Sequence, residues 1–386
     1  MSPSIYLDHN ATTRPCPEAV RAMLEALQVA WANPSSTHGP GQQARRLLAD
    51  SRAKVAALLG CLSAEVVFTS GATEANLMAL RGAVVARRPH GRRRLVVSAV
   101  EHPGLLAQAR QLAEEGVRVD LLRVDAQGRV DLGHANALLD DDVALLSVMA
   151  ANNETGVRMP IEALAEMAHA AGAWLHVDAT QQAGKLPIDV AALGADLLSV
   201  SAHKLHGPKG VGALVVRKGV GLAPLMPGRQ ERARRGGTEN LPGIAGFGAA
   251  CERALATLAN DAQRLAALRD RLEAGLRAAV PGLRVHCELA TRLPHVLSVR
   301  FGDLAAEPVL ARLEREGIVA SSGAACSAGG TQPSHVLLAM GESPAQALGG
   351  VRFSLGRDTT EAEIDAVLDA VGRVIVPLIE PQPLAA

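Results

Sequence analysis

Lysine is scarce in this chain, and one lysine lies where a sheet would present a reactive amine. Five of the 386 residues are lysines, and Lys204 follows the apolar run at 197–201. Functional groups of parallel α/β proteins collect beyond the carboxyl ends of the strands. An amine at that place can form a Schiff base when desolvation lowers its pKa. A lysine in a surface loop is the ordinary alternative, and Lys204 alone does not exclude it.

An aspartate belongs to the same predicted sheet edge as Lys204. Asp178 closes the run 174–177, which is the strand predicted before the one that leads to Lys204. A Schiff-base lysine with an aspartate is the pair that pyridoxal phosphate requires, because the carboxylate keeps the ring nitrogen protonated and lets the ring accept electrons. A helix N-cap is the alternative role for Asp178.

The segment 69–76 could bind the phosphate of such a cofactor. It runs from a predicted strand through Gly71 into a predicted helix. Helix N-termini offer unpaired N–H groups and the positive end of the helix dipole. The hydroxyls of Thr73 and Ser201 could add hydrogen bonds. An ordinary capping turn is the alternative, because the motif by itself is weak evidence.

Cys326 lies in the Gly/Ala-rich stretch 321–330, which we expect to be a mobile loop. Small residues on both sides would let the loop carry a thiol into a cleft and out again. Most single cysteines are small buried hydrophobic residues, and that interpretation fits Cys61 and Cys251 better. Cys326 is therefore a candidate nucleophile.

Two further polar residues have open roles. Arg352 could bind a substrate carboxylate through its planar guanidinium, and a structural ion pair is an equal alternative. His102 follows another predicted strand end, where a neutral imidazole could stack on a cofactor ring or move a proton. A purely structural histidine is the default for His102 alone.

The elements that must position these residues alternate along most of the chain. Continuous apolar strands separated by helices predict a mainly parallel sheet buried on both faces, and so a large α/β domain over 15–243. The predicted strands are 65–69, 95–98, 117–124, 144–149, 174–177, 197–201 and 212–216, and helices are predicted at 74–81, 105–115 and 161–171.

A second, smaller α+β domain is predicted for residues 1–14 and 244–386. After Pro242 and Gly243 the pattern changes to a long helical stretch over 244–280. It is followed by strands at 296–301 and 352–355, and by helices at 305–316 and 361–375.

Composition excludes several classes of protein. Lys plus Arg and Asp plus Glu both total 39, and aromatic residues make up 2%. This balance argues against a nucleic-acid partner, and the short cluster Arg92–Arg94 is expected to be a solvated loop. No export or membrane segment is visible in the sequence. The five cysteines are scattered without metal-ligand spacing, so we expect reduced thiols, no metal site and a cytoplasmic location.

These motifs occur together, and in order, in one family. The chain resembles the pyridoxal-phosphate-dependent cysteine desulfurases of the NifS/IscS type, within the class V aminotransferases, over nearly its whole length. The resemblance implies a fold-type-I transferase with a large domain, containing a mainly parallel sheet, and a smaller α+β C-terminal domain. The matching strings are YLDHNATT (6–13), NPSS (33–36), TSGATEAN (69–76), NNETG (152–156), SAHK (201–204), GTEN (237–240) and RFSLGR (352–357).

Roles toward pyridoxal phosphate follow from the resemblance. It implies that Lys204 binds the cofactor covalently and that Asp178 pairs with the ring nitrogen. Gln181 and Asn153 would lie near the ring hydroxyl, and His102 would stack on the ring and help move protons. The residues implied around the phosphate are Ala72, Thr73, Ser201 and His203, with Thr238 reaching it from the second subunit of a homodimer.

Roles toward the substrate are implied in the same way. Arg352, with Asn33 nearby, would bind the carboxylate of L-cysteine, and Cys326 would take its sulfur. The implied reaction yields L-alanine and a persulfide on Cys326. The implied partner is a sulfur-acceptor protein, such as an iron–sulfur scaffold, so that the sulfur supplies cluster assembly or other sulfur-containing products.

Other activities compete with this one. Selenocysteine lysis or another class V reaction such as transamination is the alternative, although transamination needs no thiol at Cys326. A non-catalytic sulfur-transfer partner is disfavoured because Lys204, Asp178 and Cys326 are all present. The sequence departs from the family at His9, where asparagine is usual, and at 227–229, where the family has three glycines.

Overall fold

The computed structural model describes residues 4–323 and 332–379. The strands are β1 (Ile5–Tyr6), β2 (Val66–Thr69), β3 (Arg94–Ser98), β4 (Arg118–Leu122), β5 (Val143–Met149), β6 (Trp174–Asp178), β7 (Leu197–Ser201), β8 (Gly212–Val216), β9 (Leu283–Val285), β10 (Val296–Phe301), β11 (Ile318–Val319), β12 (Ser321–Ser322) and β13 (Gly350–Ser354). The helices are α1 (Pro17–Gln28), α2 (Gly39–Leu59), α3 (Ala72–Arg87), α4 (Pro103–Glu114), α5 (Leu132–Leu138), α6 (Ile161–Ala170), α7 (Gln230–Ala233), α8 (Leu241–Ala279), α9 (Ala306–Arg315), α10 (His335–Ala339), α11 (Pro344–Ala347), α12 (Glu361–Val374) and α13 (Val376–Ile379).

Seven strands form a large sheet in the order β2-β8-β7-β6-β5-β3-β4. Neighbours from β7 to β4 are parallel, and β8 is antiparallel to both β7 and β2. All residues of β3, β5, β7 and β8 are buried because helices cover both faces, which is why these strands are predominantly apolar. The predicted mainly parallel α/β architecture is confirmed.

The carboxyl ends of these strands lie at one edge, and the polar residues of interest follow them. Asp178 is the last residue of β6. Lys204 ends a 3₁₀ turn, Ala202–Lys204, that follows β7 directly. Helix α3 begins at Ala72, after β2 and Gly71. Three separate parts of the chain therefore reach the same side of the sheet.

A second sheet has the order β12-β13-β10-β9 and is antiparallel. Its apolar face packs with α9, α12 and the second half of α8 into a separate core that includes Phe301 and Phe353. The N-terminal strand β1 lies nearby, because it pairs with β11, and Asp8 bridges to Ser354 of β13. The N-terminal segment thus passes from this second unit to the edge of the large sheet.

Helix α8 has 39 residues and contributes to both cores. It begins at Leu241, so the predicted start at residue 244 was wrong. Pro242 is accommodated because the first turn needs no intrahelical N–H donor, and the side chain of Asn240 accepts from Gly243 N–H. The predicted domain boundary after 243 thus falls inside a helix. No helix of the described part of the chain, α8 included, is long and apolar enough to cross a bilayer.

The predicted loop at 321–330 begins as a strand instead. Ser321 and Ser322 form β12, paired with Arg352 and Val351 of β13. The main-chain pairing to β13 explains this difference, since neither serine has a strong strand propensity. Residues 324–331 lie outside the described residues.

The arginine cluster also differs from its prediction, because Arg94 is buried. It is the first residue of β3 and is 2% exposed. Its guanidinium contacts the carboxylates of Asp120 (2.9 Å), Asp140 (2.5 Å) and Asp142 (2.5 Å). A buried cation requires such partners, and they come from the neighbouring strand β4 and the turn before β5.

Candidate active site

A cavity of about 610 Å³ opens at the carboxyl edge of the large sheet. Its volume lies in the range of about 300–1,000 Å³ that is usual for small-molecule sites. The structure brings nine of the predicted site residues to its wall: Ala72, Thr73, His102, Asn153, Asp178, Gln181, Ser201, His203 and Lys204. The cavity therefore combines an amine, a carboxylate and a helix N-terminus.

The Lys204 amine is held at the floor of the cavity by the N-terminal segment. Its Nζ donates to the main-chain carbonyls of Asn10 (2.5 Å) and Ala11 (2.8 Å). The segment is itself fixed beneath Lys204, because the carbonyl of His203 accepts from both N–H and Oγ1 of Thr13. The amine is thus oriented by main-chain groups and faces the same space as Asp178.

Asp178 presents a hydrogen-bonded carboxylate to the cavity. Its Oδ2 accepts from Asn76 Nδ2 (2.8 Å) and its Oδ1 from Thr180 N–H (3.0 Å). The latter bond closes a local turn, and no helix begins at Asp178, so the alternative role as a helix N-cap is not found. Behind it, burial and then the charge of Asp178 raise the pKa of Glu101 well above its usual value. Burial therefore favours the neutral form of the Glu101 carboxyl group.

The N-terminus of α3 points at the cavity from the opposite side. Its first N–H groups have no intrahelical acceptors, and Ser201 Oγ lies on the same wall. The close packing beneath this turn depends on Gly212, since a Cβ there would lie 2.8 Å from Gly71 Cα and 2.5 Å from Val200 O. This arrangement has the features of the anion sites that helix N-termini form.

Two histidines on the cavity wall are neutral. Burial, together with the charges of Lys204 and Lys209, lowers the pKa of His203 to about 4. Burial also lowers the pKa of His102, against the opposing charge of Asp178. The Nδ1 of His102 accepts from Gly104 N–H (3.1 Å) at the start of α4, so its proton lies on Nε2.

Arg352 lies next to this cavity, although it is not part of the wall. It is 5% exposed, donates to Asp8 Oδ1 (2.6 Å) and to the carbonyl of Asn153 (2.9 Å). The ion pair that was the alternative interpretation is therefore present. The Nε of Arg352 is buried and has no hydrogen-bond partner within 4–323 and 332–379.

Two predicted site residues of the described part of the chain are not brought to the cavity, and a third cannot be placed. Asn33 is exposed and bonds Ser35 N–H (2.8 Å) in its own turn. Thr238 lies on a smaller cavity of about 140 Å³ beside Ser70, at the exposed end of the segment before α8. Cys326 lies outside the described residues. The roles of these three residues stay predictions.

Sequence reasoning missed several groups that shape the site. Asn76 lies in the predicted phosphate segment and Glu101 precedes His102, so both were close to recognised motifs without being assigned. Asn10 belongs to the N-terminal string YLDHNATT (6–13), for which the sequence predicts no role of its own. Lys185 is one of the five lysines of the sequence, and in the structure its Nζ donates to the carbonyl of Lys204 (2.5 Å).

Lys185 should make the stability of the protein depend on pH. Burial and the charge of Lys204 lower its pKa from 10.5 to about 8. Between these values the unfolded chain binds more protons than the folded one, so stability rises with pH from about 8 to about 10.5, by about 3 kcal/mol. Urea unfolding at several pH values should show this rise in the parent and not in Lys185→Met. A variant of the exposed Lys218, Lys218→Met, should keep the rise, and equal curves for Lys185→Met and the parent would contradict the assignment.

Comparison with known proteins places this geometry in a family. The model of the family described as "Aminotransferase class-V" matches residues 5–367. The chain belongs to the aminotransferase class-V family. Among its relatives, a "Cysteine desulfurase" of Rhodobacter capsulatus is 48% identical, over 100% of this chain and 99% of the relative. The "Cysteine desulfurase NifS" of Azotobacter vinelandii is 45% identical, over 97% and 93%.

Solved structures agree with this class-V assignment. A "NIFS-LIKE PROTEIN" superposes with a TM-score of 0.90 at 35% identity, covering 96% of this chain and 99% of that one. A structure described as "SspA in complex with cysteine" superposes with a TM-score of 0.81 at 30% identity, over 92% and 100%. The predicted family and fold are confirmed.

Proposed function

We propose that this class-V protein is a cysteine desulfurase that converts L-cysteine to L-alanine and passes the sulfur to Cys326 as a persulfide. The observation that carries the proposal is the convergence of Lys204, Asp178 and the N-terminus of α3 on one cavity. Full-length relatives named cysteine desulfurase support it. A related structure described with cysteine supports the choice of substrate.

We propose pyridoxal phosphate as the cofactor, because the cavity residues fit its parts. The N–H groups at the start of α3 suit the phosphate, and Asp178 suits the ring nitrogen. Asn153 Oδ1 and Thr180 Oγ1 are buried with no hydrogen-bond partner in the part of the chain that the structure describes. Both residues line the cavity, and such buried orphan atoms are costly unless a bound group pairs with them.

The residues divide the chemistry among them. Bound pyridoxal phosphate supplies an electron sink that weakens the carbon–sulfur bond of the substrate. Lys204 would anchor it and move the α-proton of the substrate, while Asp178 would pair with the ring nitrogen and keep it protonated. Neutral His102, with its proton on Nε2, can exchange a proton at the wall of the cavity.

Arg352 would bind the substrate carboxylate. Its guanidinium is already oriented by Asp8 and by the carbonyl of Asn153, a residue of the cavity wall. Pre-orientation of this kind lowers the entropy cost of binding. Asn33 is proposed to assist only when the surface segment that carries it approaches the cavity.

The thiols of the described residues are poor nucleophiles, which favours Cys326. Burial raises the pKa of Cys61 and of Cys287 to about 12 and raises those of Cys16 and Cys251 as well. Because the thiolate is the reactive form, none of these four suits sulfur transfer at neutral pH. Cys326 is the remaining cysteine of the sequence.

Alanine formation from L-cysteine under reducing conditions tests the proposal. The parent should produce alanine, and Cys326→Ala should reduce the rate by at least about a thousandfold, because its nucleophile is gone. Cys61→Ala is the matched control and should match the parent. Equal rates for Cys326→Ala and the parent would overturn the sulfur-transfer step, whereas cofactor-loaded parent protein without alanine formation would point to another substrate.

We also propose how the protein is assembled and where its sulfur goes. In a homodimer, the exposed Thr238 would reach the phosphate of the partner's cofactor. The persulfide would pass to a sulfur-acceptor protein such as an iron–sulfur scaffold. A reducing cytoplasm suits the free thiols of the four described cysteines.

A further inference from the structure

Asn10 forms hydrogen bonds with several residues of the proposed active site. It is 2% exposed and lies in the segment that follows β1. Its main-chain carbonyl accepts from Lys204 Nζ (2.5 Å) and from Gln181 Nε2 (3.2 Å). The main chain of Asn10 therefore fixes the amine and the neighbouring amide on the cavity wall.

The side chain of Asn10 fixes a second pair of groups. Its Nδ2 donates to the carbonyl of Asn153 (2.9 Å), and the same carbonyl accepts from Arg352 Nη1 (2.9 Å). Because Nδ2 faces a carbonyl, Oδ1 faces His295 Nε2 (2.8 Å). Burial lowers the pKa of His295 well below its usual value, so the ring is neutral and donates from Nε2. Each polar atom of the carboxamide thus has a defined partner.

These partners belong to different parts of the fold. Lys204, Gln181 and Asn153 follow strands of the large sheet, whereas Arg352 belongs to β13 of the second sheet. The N–H of Asn10 donates to Ser354 Oγ (3.0 Å), also on β13. Asn10 is therefore bonded to both sheets at the place where the reacting groups meet.

We propose that Asn10 is a positioning residue that sets the guanidinium of Arg352 relative to the amine of Lys204. The proposal rests on the proposed function, because it assigns Arg352 to the substrate carboxylate. Removing the carboxamide of Asn10 leaves Arg352 Nη1 as the remaining donor to the Asn153 carbonyl. The peptide group of Asn153, which orients Arg352, is then held less firmly. The contact to Lys204 survives, since it uses the main chain. Substrate binding should consequently suffer more than cofactor attachment or turnover.

The test compares Asn10→Ala with the parent holoenzyme. The KM for L-cysteine should rise by about tenfold, while kcat falls by less than about threefold and cofactor content stays unchanged. The dissociation constant of L-alanine, followed through the visible absorbance of the cofactor, should rise by a similar factor. Asp120→Asn, which weakens the remote Arg94 cluster, is the matched control for lost stability and should leave both constants unchanged.

Unchanged KM and alanine affinity in Asn10→Ala would overturn the proposal. Equal changes in Asp120→Asn and Asn10→Ala at the same loss of stability would also overturn it, because they would show a merely structural role. If Asn10→Ala does not fold, Ser354→Ala removes the acceptor of the Asn10 N–H together with a longer bond from Ser354 Oγ to the carbonyl of Leu7 (3.4 Å). It should raise the KM by about twofold or more, and an unchanged value would overturn the proposal. A parent that makes no alanine from cysteine would count against the proposed function, while alanine binding would still decide the role of Asn10.

Discussion

Lys204→Ala is expected to lower kcat for alanine formation by at least about ten-thousandfold, because it removes both the anchor of the cofactor and the base for the α-proton. The amine is the group that the carbonyls of Asn10 and Ala11 aim into the cavity. Lys204→Arg should be equally inactive, since a guanidinium stays charged and cannot act as a nucleophile. Alanine formed in a single turnover measures the effect.

Cofactor binding by Lys204→Ala should distinguish covalent attachment through Lys204 from non-covalent binding by the rest of the cavity. The α3 N-terminus and Asp178 are intact in Lys204→Ala, so this variant should still bind pyridoxal phosphate. Because the bond is no longer covalent, the cofactor should be lost on gel filtration of the native protein. Lys209→Met, at the exposed rim of the same cavity, is the matched control and should lose less than about tenfold in kcat. Substantial turnover in Lys204→Ala would show that another group anchors the cofactor.

The parts of the site that lie at strand ends could be predicted from the sequence. Apolar strands followed by Asp178 and by Lys204 imply one sheet edge, because parallel strands end on the same side. The start of α3 after Gly71 could be predicted for the same reason. Sequence order along a parallel sheet is thus informative about which side chains meet.

The parts that depend on the approach of distant segments could not be predicted. Asn10 contacts Lys204 only because β1 pairs with β11 and brings the N-terminal segment across the sheet edge. Arg94 looked solvated because its three carboxylate partners lie 26 or more positions away along the chain. Hydrophobic periodicity contains no information about such polar contacts, since it reports which face of an element is buried and not what it meets.

Asp178→Asn is expected to lower kcat by about a hundredfold or more, although the side chain keeps its size. Asparagine cannot hold the positive charge on the ring nitrogen, so the electron sink weakens. It also removes the negative charge that, after burial, raises the pKa of Glu101. The loss should appear in kcat more than in KM, because the substrate carboxylate binds elsewhere, at Arg352.

Glu101→Gln distinguishes the contribution of Glu101 to turnover from that of Asp178. Glu101 is fully buried, its Oε1 accepts from Met149 N–H (2.7 Å), and no described residue donates to its Oε2. A glutamine keeps the shape of this side chain, and burial favours the neutral form of Glu101, so kcat should fall by no more than about threefold. Steady-state rates of Glu101→Gln and Asp178→Asn at pH 7.5 show which of the two carboxyl groups turnover depends on. A large loss in Glu101→Gln with a small one in Asp178→Asn would place the functional charge on Glu101 and overturn the assignment of Asp178.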